Sequence, residues 1–421
     1  MKKTLLLSLA LLIGTGILAQ KTITIGGIIY TLNPSDSTAT VYSGQQCSGD
    51  IIIPETVEDE DITYQVTSID GNAFYQNEGL TSIFLPGTMT SIGRAAFAYC
   101  TNLTDIGIPS SVTSIGNYAF YNCKSIEQLV IPDLVTSLGE QAFASCTSLT
   151  SIALPNTLKK IESGTFYGCT SLSFVNANCA ESIESYAFYG CSGLKTILLG
   201  NTLKNIGGTA FYGCKGLTGI TIPSSVTDIG TRAFYGCSDL TSITIPETVT
   251  DIKEEAFAYC SGLTSVTIPN SVTNIGIAAF YGCSSLASIT IPETVTDIGI
   301  VAFKNCSGLK EITIPGSVTA IGEDAFYGCD NIKDVTFLTK NPFAVNSSCF
   351  TCQDNATLHV LKKQAPTFSE LEGWKDFSSI AEEDEEGGDD DDPAEIMDTN
   401  RDGEVNSADV VRIYNYIITG E

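Results

Sequence analysis

Twelve residues near the end of the chain have a spacing that could hold a metal ion. They read D-T-N-R-D-G-E-V-N-S-A-D, from Asp398 to Asp409. Calcium takes oxygen ligands from positions 1, 3, 5, 7, 9 and 12 of such a loop, and glycine at position 6 makes the sharp turn. Asp398, Asn400, Asp402, Glu404 (through its carbonyl), Asn406 and Asp409 occupy the ligand places, and Gly403 the turn. The spacing predicts an EF-hand-like calcium loop. Val410, Ile413, Tyr416 and Ile417 then give one apolar face of a helix. One loop and one helix bury too little to fold firmly without metal or partner.

The other reactive residue types argue against catalysis. The single histidine, His359, stands apart from any catalytic partner in the sequence, and no G-x-S-x-G, phosphate loop or H-E-x-x-H occurs. Cys349 and Cys352 form a C-x-x-C, but a zinc site needs two further ligands and only His359 is near. Paired acids such as Glu254 and Glu255 fall on turns. The chain is therefore expected not to be an enzyme, with an unrecognised site as the remaining alternative. A formal net charge of -27 excludes non-specific nucleic-acid binding, which needs Lys and Arg to displace counterions. Much of that charge sits in residues 382–421, which hold 15 acids and two arginines.

What positions these residues is a repeat. Read at Leu240, a unit of 23 residues runs L-T-S-I-T-I-P-E-T-V-T-D-I-K-E-E-A-F-A-Y-C-S-G and starts again at Leu263, Leu286 and Leu309. Earlier units start at Leu80, Leu103, Ile126, Leu149, Leu172, Leu194 and Leu217, and a last one at Ile332; the step from Leu172 to Leu194 is 22 residues. A fixed period of this size means a solenoid, in which each coil buries its apolar face only against its neighbours. In the unit at Leu240, Leu240, Ile243 and Ile245 point inward along a short strand ended by Pro246, and Val249, Ile252, Ala256 and Phe257 complete the interior. The Phe of each A-F step, from Phe97 to Phe326, should form a continuous aromatic spine. Gly93, Gly116, Gly207, Gly230, Gly276, Gly299 and Gly322 follow the second isoleucine, where a turn with positive φ would suit glycine.

The chain has 15 cysteines, and 11 of them, Cys100, Cys123, Cys146, Cys169, Cys191, Cys214, Cys237, Cys260, Cys283, Cys306 and Cys329, fall at one place in the unit. Asn77 takes that place in the first coil. A position that accepts Cys or Asn wants a small, buried side chain able to donate a hydrogen bond. Inert free thiols are expected, because the parallel side chains of neighbouring coils suit a disulfide poorly.

The pattern L-x-x-I-x-I-P-x-x-V-x-x-I-G-x-x-A-F-x-x-C, seen in Leu286, Ile289, Ile291, Pro292, Val295, Ile298, Gly299, Ala302, Phe303 and Cys306, resembles the BspA-type bacterial leucine-rich repeats. The resemblance covers roughly residues 65–350. It implies a curved leucine-rich repeat solenoid with a parallel β-sheet on its concave face, in exported proteins that attach to host proteins or other cells.

Around the repeats, residues 1–19 read as a secretory signal: Lys2 and Lys3, an apolar core from Leu5 to Leu18, and a small Ala19. A secreted or cell-surface protein without a membrane span is expected. Residues 20–64, with Ile23-Thr24-Ile25 and turn signals at Gly26-Gly27, predict a short β-rich N-terminal cap. Residues 351–381, with the single tryptophan, Trp374, predict a C-terminal cap. Residues 382–393 are a like-charge run expected to stay extended. In residues 394–421, Asp409 and the following V-V-R-I-Y-N-Y-I resemble one dockerin repeat, which implies docking to a cohesin-like partner. A dockerin has two such repeats; this segment has one, with Ser407 and Ala408 at the loop's partner-selecting places and Tyr414 and Asn415 where the family carries a basic pair.

Outward strand positions are the expected binding face. Late coils place Thr there (Thr221, Thr244, Thr267, Thr290, Thr313, Thr336), whereas early coils place Phe84, Gly107, Val130, Ala153, Asn176 and Leu198, with Phe174 beside them. Phe84, Val130, Phe174 and Leu198 are thus the candidate contacts for a protein or glycan partner. The expected function is an adhesion or interaction module with a calcium-binding tail for tethering. The alternative is a non-catalytic subunit of a polysaccharide-degrading assembly, recruited through that tail.

Overall fold

The structure, a computed structural model, describes residues 20–384. The expected signal segment, the calcium loop and its helix, and all but the first three residues of the acidic run lie outside the described residues. Within them the chain winds as a solenoid of short parallel strands. Ser82 pairs with Asp105, Ser151 with Phe174 and Ser242 with Ser265, each one period apart. Leu240, Ile243, Ile245, Val249, Ile252, Ala256 and Phe257 are all buried, as the alternation predicts.

From Ser91–Ile92 to Ala320–Ile321 each coil also carries a second, two-residue strand that the sequence pattern did not reveal. Ser91–Ile92, Ser114–Ile115 and Ser137–Leu138 pair in parallel, as do Asp251–Ile252, Asn274–Ile275 and Asp297–Ile298. A two-residue strand is too short to display a period of two.

The aromatic spine is continuous. From Phe74 to Phe350 successive rings stack 5.1–5.8 Å apart and within 11° of parallel. Beside it runs the cysteine ladder. Each thiol is free and buried, and each donates to the carbonyl of the phenylalanine in the preceding coil, as Cys123 does to Phe97 at 3.1 Å and Cys306 to Phe280 at 3.1 Å. Asn77 donates instead to Gly44 and Cys47. Burial pushes the Cys100 and Cys169 thiols up to about 12 and Cys123 well above its usual value. Cys349 takes the alanine place before Phe350, whose ring continues the spine, so C-x-x-C is an irregular coil.

The glycines after the second isoleucine are explained differently from the expectation. None of Gly93, Gly116, Gly207, Gly230, Gly276, Gly299 or Gly322 has positive φ; the left-handed residues come two and six places later, as at Ala95 and Tyr99 or Thr209 and Gly213. Glycine is there because coils touch. A β-carbon on Gly322 would lie 2.3 Å from the Ile300 nitrogen, and one on Gly230 2.4 Å from the Gly208 nitrogen. Threonine and serine also do more than line the surface: Ser225 donates to the Leu203 carbonyl and Ser271 to Val249, one coil back.

Both ends are closed by extra strands. Thr22–Ile25, Ile28–Asn33 and Thr38–Ser43 form an antiparallel meander whose last strand joins Ile62–Ile69, the start of the short-strand ladder. Gly49–Ile52, inside the segment read as cap, already belongs to the repeat sheet and pairs with Leu80–Phe84. At the other end Asp334–Phe337, Thr357–Leu361 and Ser379–Glu383 run parallel. Glu382 and Glu383, read as the start of the acidic run, thus lie in a strand opposite Val360 and Leu361. Trp374 is fully buried against Phe350 and Phe337 and donates its indole N–H to the Phe343 carbonyl at 2.7 Å. It terminates the spine where no further coil could cover it.

Candidate functional site

The four outward candidates fall into separate groups on the strand face. Phe84 pairs directly with Ile52, which the sequence reading missed. Their exposures, 64% and 74%, exceed those of most large apolar residues. Val130 is 80% exposed, two coils on from Phe84, and shares its coil with exposed Leu134. Parallel strands ~4.8 Å apart put Phe84 and Val130 about 10 Å from each other. Phe174 and Leu198, 39% and 41% exposed, form another group: Phe174 is opposite Thr196, and Asn176 opposite Leu198. Phe84 and Phe174 are four coils apart and do not meet.

The 22-residue step shapes the ground beside Leu198. Ala180 N–H bonds to the Ala177 carbonyl, whereas in the preceding coil the equivalent turn runs from Pro155 to Leu158. The missing residue therefore lies in this turn, and it brings Asn178 against Gly200, which replaces the usual proline. The long-strand ladder stops at Thr196–Leu199 and resumes at Ser242–Thr244. Between them is an open groove of about 710 Å³ bordered by Asn178, Leu198, Leu199, Ile220 and Thr244. Gly219 sits there with open space where later coils carry a side chain.

The sequence reading also missed a row of tyrosines at the turns, which continues from Tyr167 through Tyr189, Tyr212 and Tyr235 to Tyr281. The signal was the F-Y-x-C step, overshadowed by the buried Phe and Cys on either side. His359, which stands apart from any catalytic partner in the sequence, bridges two carboxylates: Nε2 lies 2.9 Å from Asp334 and Nδ1 2.8 Å from Glu383.

Among the described residues no group of three His, Cys, Asp or Glu side chains could hold a metal ion. The proposed ligands Asp398, Asn400, Asp402, Glu404, Asn406 and Asp409 lie beyond them. No helix of the described residues is long and apolar enough to cross a membrane.

These features agree with known proteins. The profile of the BspA type leucine rich repeat region matches residues 67–180, 173–287 and 273–370. A leucine-rich repeat protein from Bacteroides ovatus ATCC 8483 is 28% identical, with 81% of this chain and 100% of that one covered and a TM-score of 0.61. A leucine rich cell surface protein from Faecalibacterium prausnitzii A2-165 is 26% identical over 84% and 98% of the two chains, with a TM-score of 0.53. The pneumococcal vaccine antigen PcpA, 17% identical over 86% and 99% of the chains with a TM-score of 0.51, shares the fold. No curated protein matches. On the repeat pattern, the coil geometry and the span of the family match together, this chain belongs to the BspA-type leucine-rich repeat family.

Proposed function

We propose that this protein is exported, displayed at the cell surface, and serves as a non-catalytic interaction module whose strand face binds a protein or glycan partner on a host or neighbouring cell. The observation that carries this reading is the exposure of Ile52, Phe84 and Val130 on the strand face, where the late coils place Thr221, Thr244, Thr267, Thr290, Thr313 and Thr336. Apolar patches left in water on a folded protein tend to mark contact sites. The likeness to a protein described as a cell surface protein supports the location. An array of extracellular proteins and glycans probed with the intact chain would find the partner. The variant with Ile52, Phe84, Val130 and Leu198 all changed to Ser should then lose binding. Undiminished binding would sink the reading.

We further propose that the tail holds one calcium ion through Asp398, Asn400, Asp402, Glu404, Asn406 and Asp409. These are hard oxygen donors at the spacing calcium requires. Calorimetric titration should show one calcium site in the full chain and none after Asp402→Ala. A second reading, recruitment to a polysaccharide-degrading assembly, rests on Asp409 and the sequence V-V-R-I-Y-N-Y-I that follows it. It predicts capture by an immobilised cohesin with calcium and release by chelator.

A further inference from the structure

At most coils a tyrosine follows the spine phenylalanine. From Tyr167 through Tyr189 and Tyr212 to Tyr235 these rings stack 4.6–4.7 Å apart and within 8° of parallel, so they cover one another's faces. The first coils differ. Tyr75 meets Tyr99 at 78°, Tyr99 meets Tyr121 at 56°, and Tyr118 meets Tyr121 at 64°, so none of these four rings covers another. Two departures from the repeat cause this. Ala98 stands where tyrosine is usual, and Tyr99 stands where Gly168, Gly190, Gly213 and Gly236 stand in later coils; the same step recurs at Ala258 and Tyr259, whose ring is also tilted, but there Glu254 and Ala278 take the places of Arg94 and Tyr118. Tyr99 holds φ of 64° and Tyr118 holds 60°, the left-handed turn conformation that these two places keep in nearly every coil, so both rings are carried by the ordinary turns of the repeat.

The tilted rings border an open depression of about 410 Å³, lined also by Ala95 and Ala98, with Asn72, Arg94 and Gln141 around it. The Arg94 guanidinium lies over the Tyr118 ring, 5.6 Å from its centre. No carboxylate pairs with Arg94 among the described residues, whereas Arg232 is held by Glu254 and Glu255. The floor has no backbone to offer a ligand. The amides of Ala95, Phe97 and Tyr99 donate to Asn117, Ala119 and Tyr121 of the next coil at 2.7–2.8 Å. A peptide strand therefore finds nothing to pair with, and recognition must run through ring faces, amide side chains and the guanidinium.

We propose that this depression binds a carboxylated sugar, separately from the strand face. Its pyranose ring would lie against the tyrosine faces, its carboxylate on Arg94, and its hydroxyls on Asn72 and Gln141. Guanidinium takes a carboxylate through two parallel hydrogen bonds. Tyrosine offers an apolar body with a polar tip, and a concave site with few convergent polar groups fixes orientation. In a chain of formal net charge -27, the unpaired guanidinium is what admits an anion here.

The test is calorimetric titration of the full chain with digalacturonate, with sialyllactose, and with neutral lactose. The first two separate a uronic acid from a sialic acid as the source of the carboxylate. At least one should bind, with lactose weaker by about tenfold or more, and Arg94→Gln should cost about tenfold for that ligand. Tyr99→Gly restores the residue that later coils carry, so folding is safe, and it should abolish binding. Tyr212→Ser, in the covered part of the row, should leave it intact. Failure of both acidic sugars to bind, equal binding of lactose, or an unchanged affinity in Arg94→Gln would overturn the proposal.

Discussion

The backbone carbonyl oxygen of Asn178 lies 1.9 Å from where a β-carbon on Gly200 would sit. The turn that carries Asn178 is the one short of a residue, and Asn178 also borders the groove beside Leu198. Gly200→Ala should destabilise the fold by about 1–3 kcal/mol, since the obstacle is backbone and cannot swing aside. Gly219→Ala, on the same groove but with open space around its missing β-carbon, should stay within about 0.5 kcal/mol of the parent. Urea midpoints of the two variants make the comparison; similar losses would mean the close approach is not what holds the turn.

The cysteine ladder should make the protein labile to alkali. Burial raises Cys100 and Cys169 to about 12 in the folded chain, and the hydrogen bond each thiol donates is lost with its proton. A thiol raised above its unfolded value stabilises fully below that value, and the stabilisation disappears as pH rises through the folded one. The urea midpoint should therefore fall between about pH 9 and pH 12, steeply because many thiols act together. Replacing Cys169, Cys191 and Cys214 with Ser keeps a donor at each place and should flatten the fall. A thiol reagent should react with few ladder cysteines at neutral pH until denaturant is added.

Much of this fold was legible because its signals are local and repeated. Leu240, Ile243 and Phe257 recur in register, and the alternation of Cys with Asn77 already pointed to a buried donor. What stayed hidden depends on contact between coils. The reason for Gly230 is the backbone of Gly208, which no pattern within one unit records. Ile52 escaped because a hairpin, Thr56–Asp59 with Ile62–Ile69, interrupts its coil and hides the period, although I-I-I-P at 51–54 repeats the strand-ending pattern. The tyrosine pocket was invisible because it combines side chains of four coils, Tyr75, Arg94 with Tyr99, Tyr118 and Gln141, which no single unit records.

The spine should transmit cooperativity along the solenoid. Phe211 stacks on Phe188 and Phe234 at 5.3 and 5.2 Å, so its loss weakens two interfaces at once. Phe211→Ala should cost about 3–5 kcal/mol. Nearest-neighbour coupling then predicts that unfolding by urea separates into two transitions, one for each side of the break. A single transition merely shifted to lower urea would show that coupling reaches further than adjacent coils.

The terminal strand should dock more firmly in acid. His359 joins Asp334 on one neighbouring strand to Glu383 on the other. Burial works against the charged ring, but the hydrogen bonds to Asp334 and Glu383, with their charges, outweigh it and raise the histidine above its usual value. Both carboxylates are about half exposed, so the effect is local rather than a large share of the stability. A raised histidine stabilises below its ordinary value and loses that contribution as pH climbs through the raised one. Amide exchange in Ser379–Glu383, corrected for its intrinsic pH dependence, should be slower at about pH 5.5 than at about pH 8. His359→Gln keeps hydrogen-bonding ability without a titrating charge and should remove the difference. If the protection is the same at both pH values in the parent, the histidine is a spacer between strands and not a clasp.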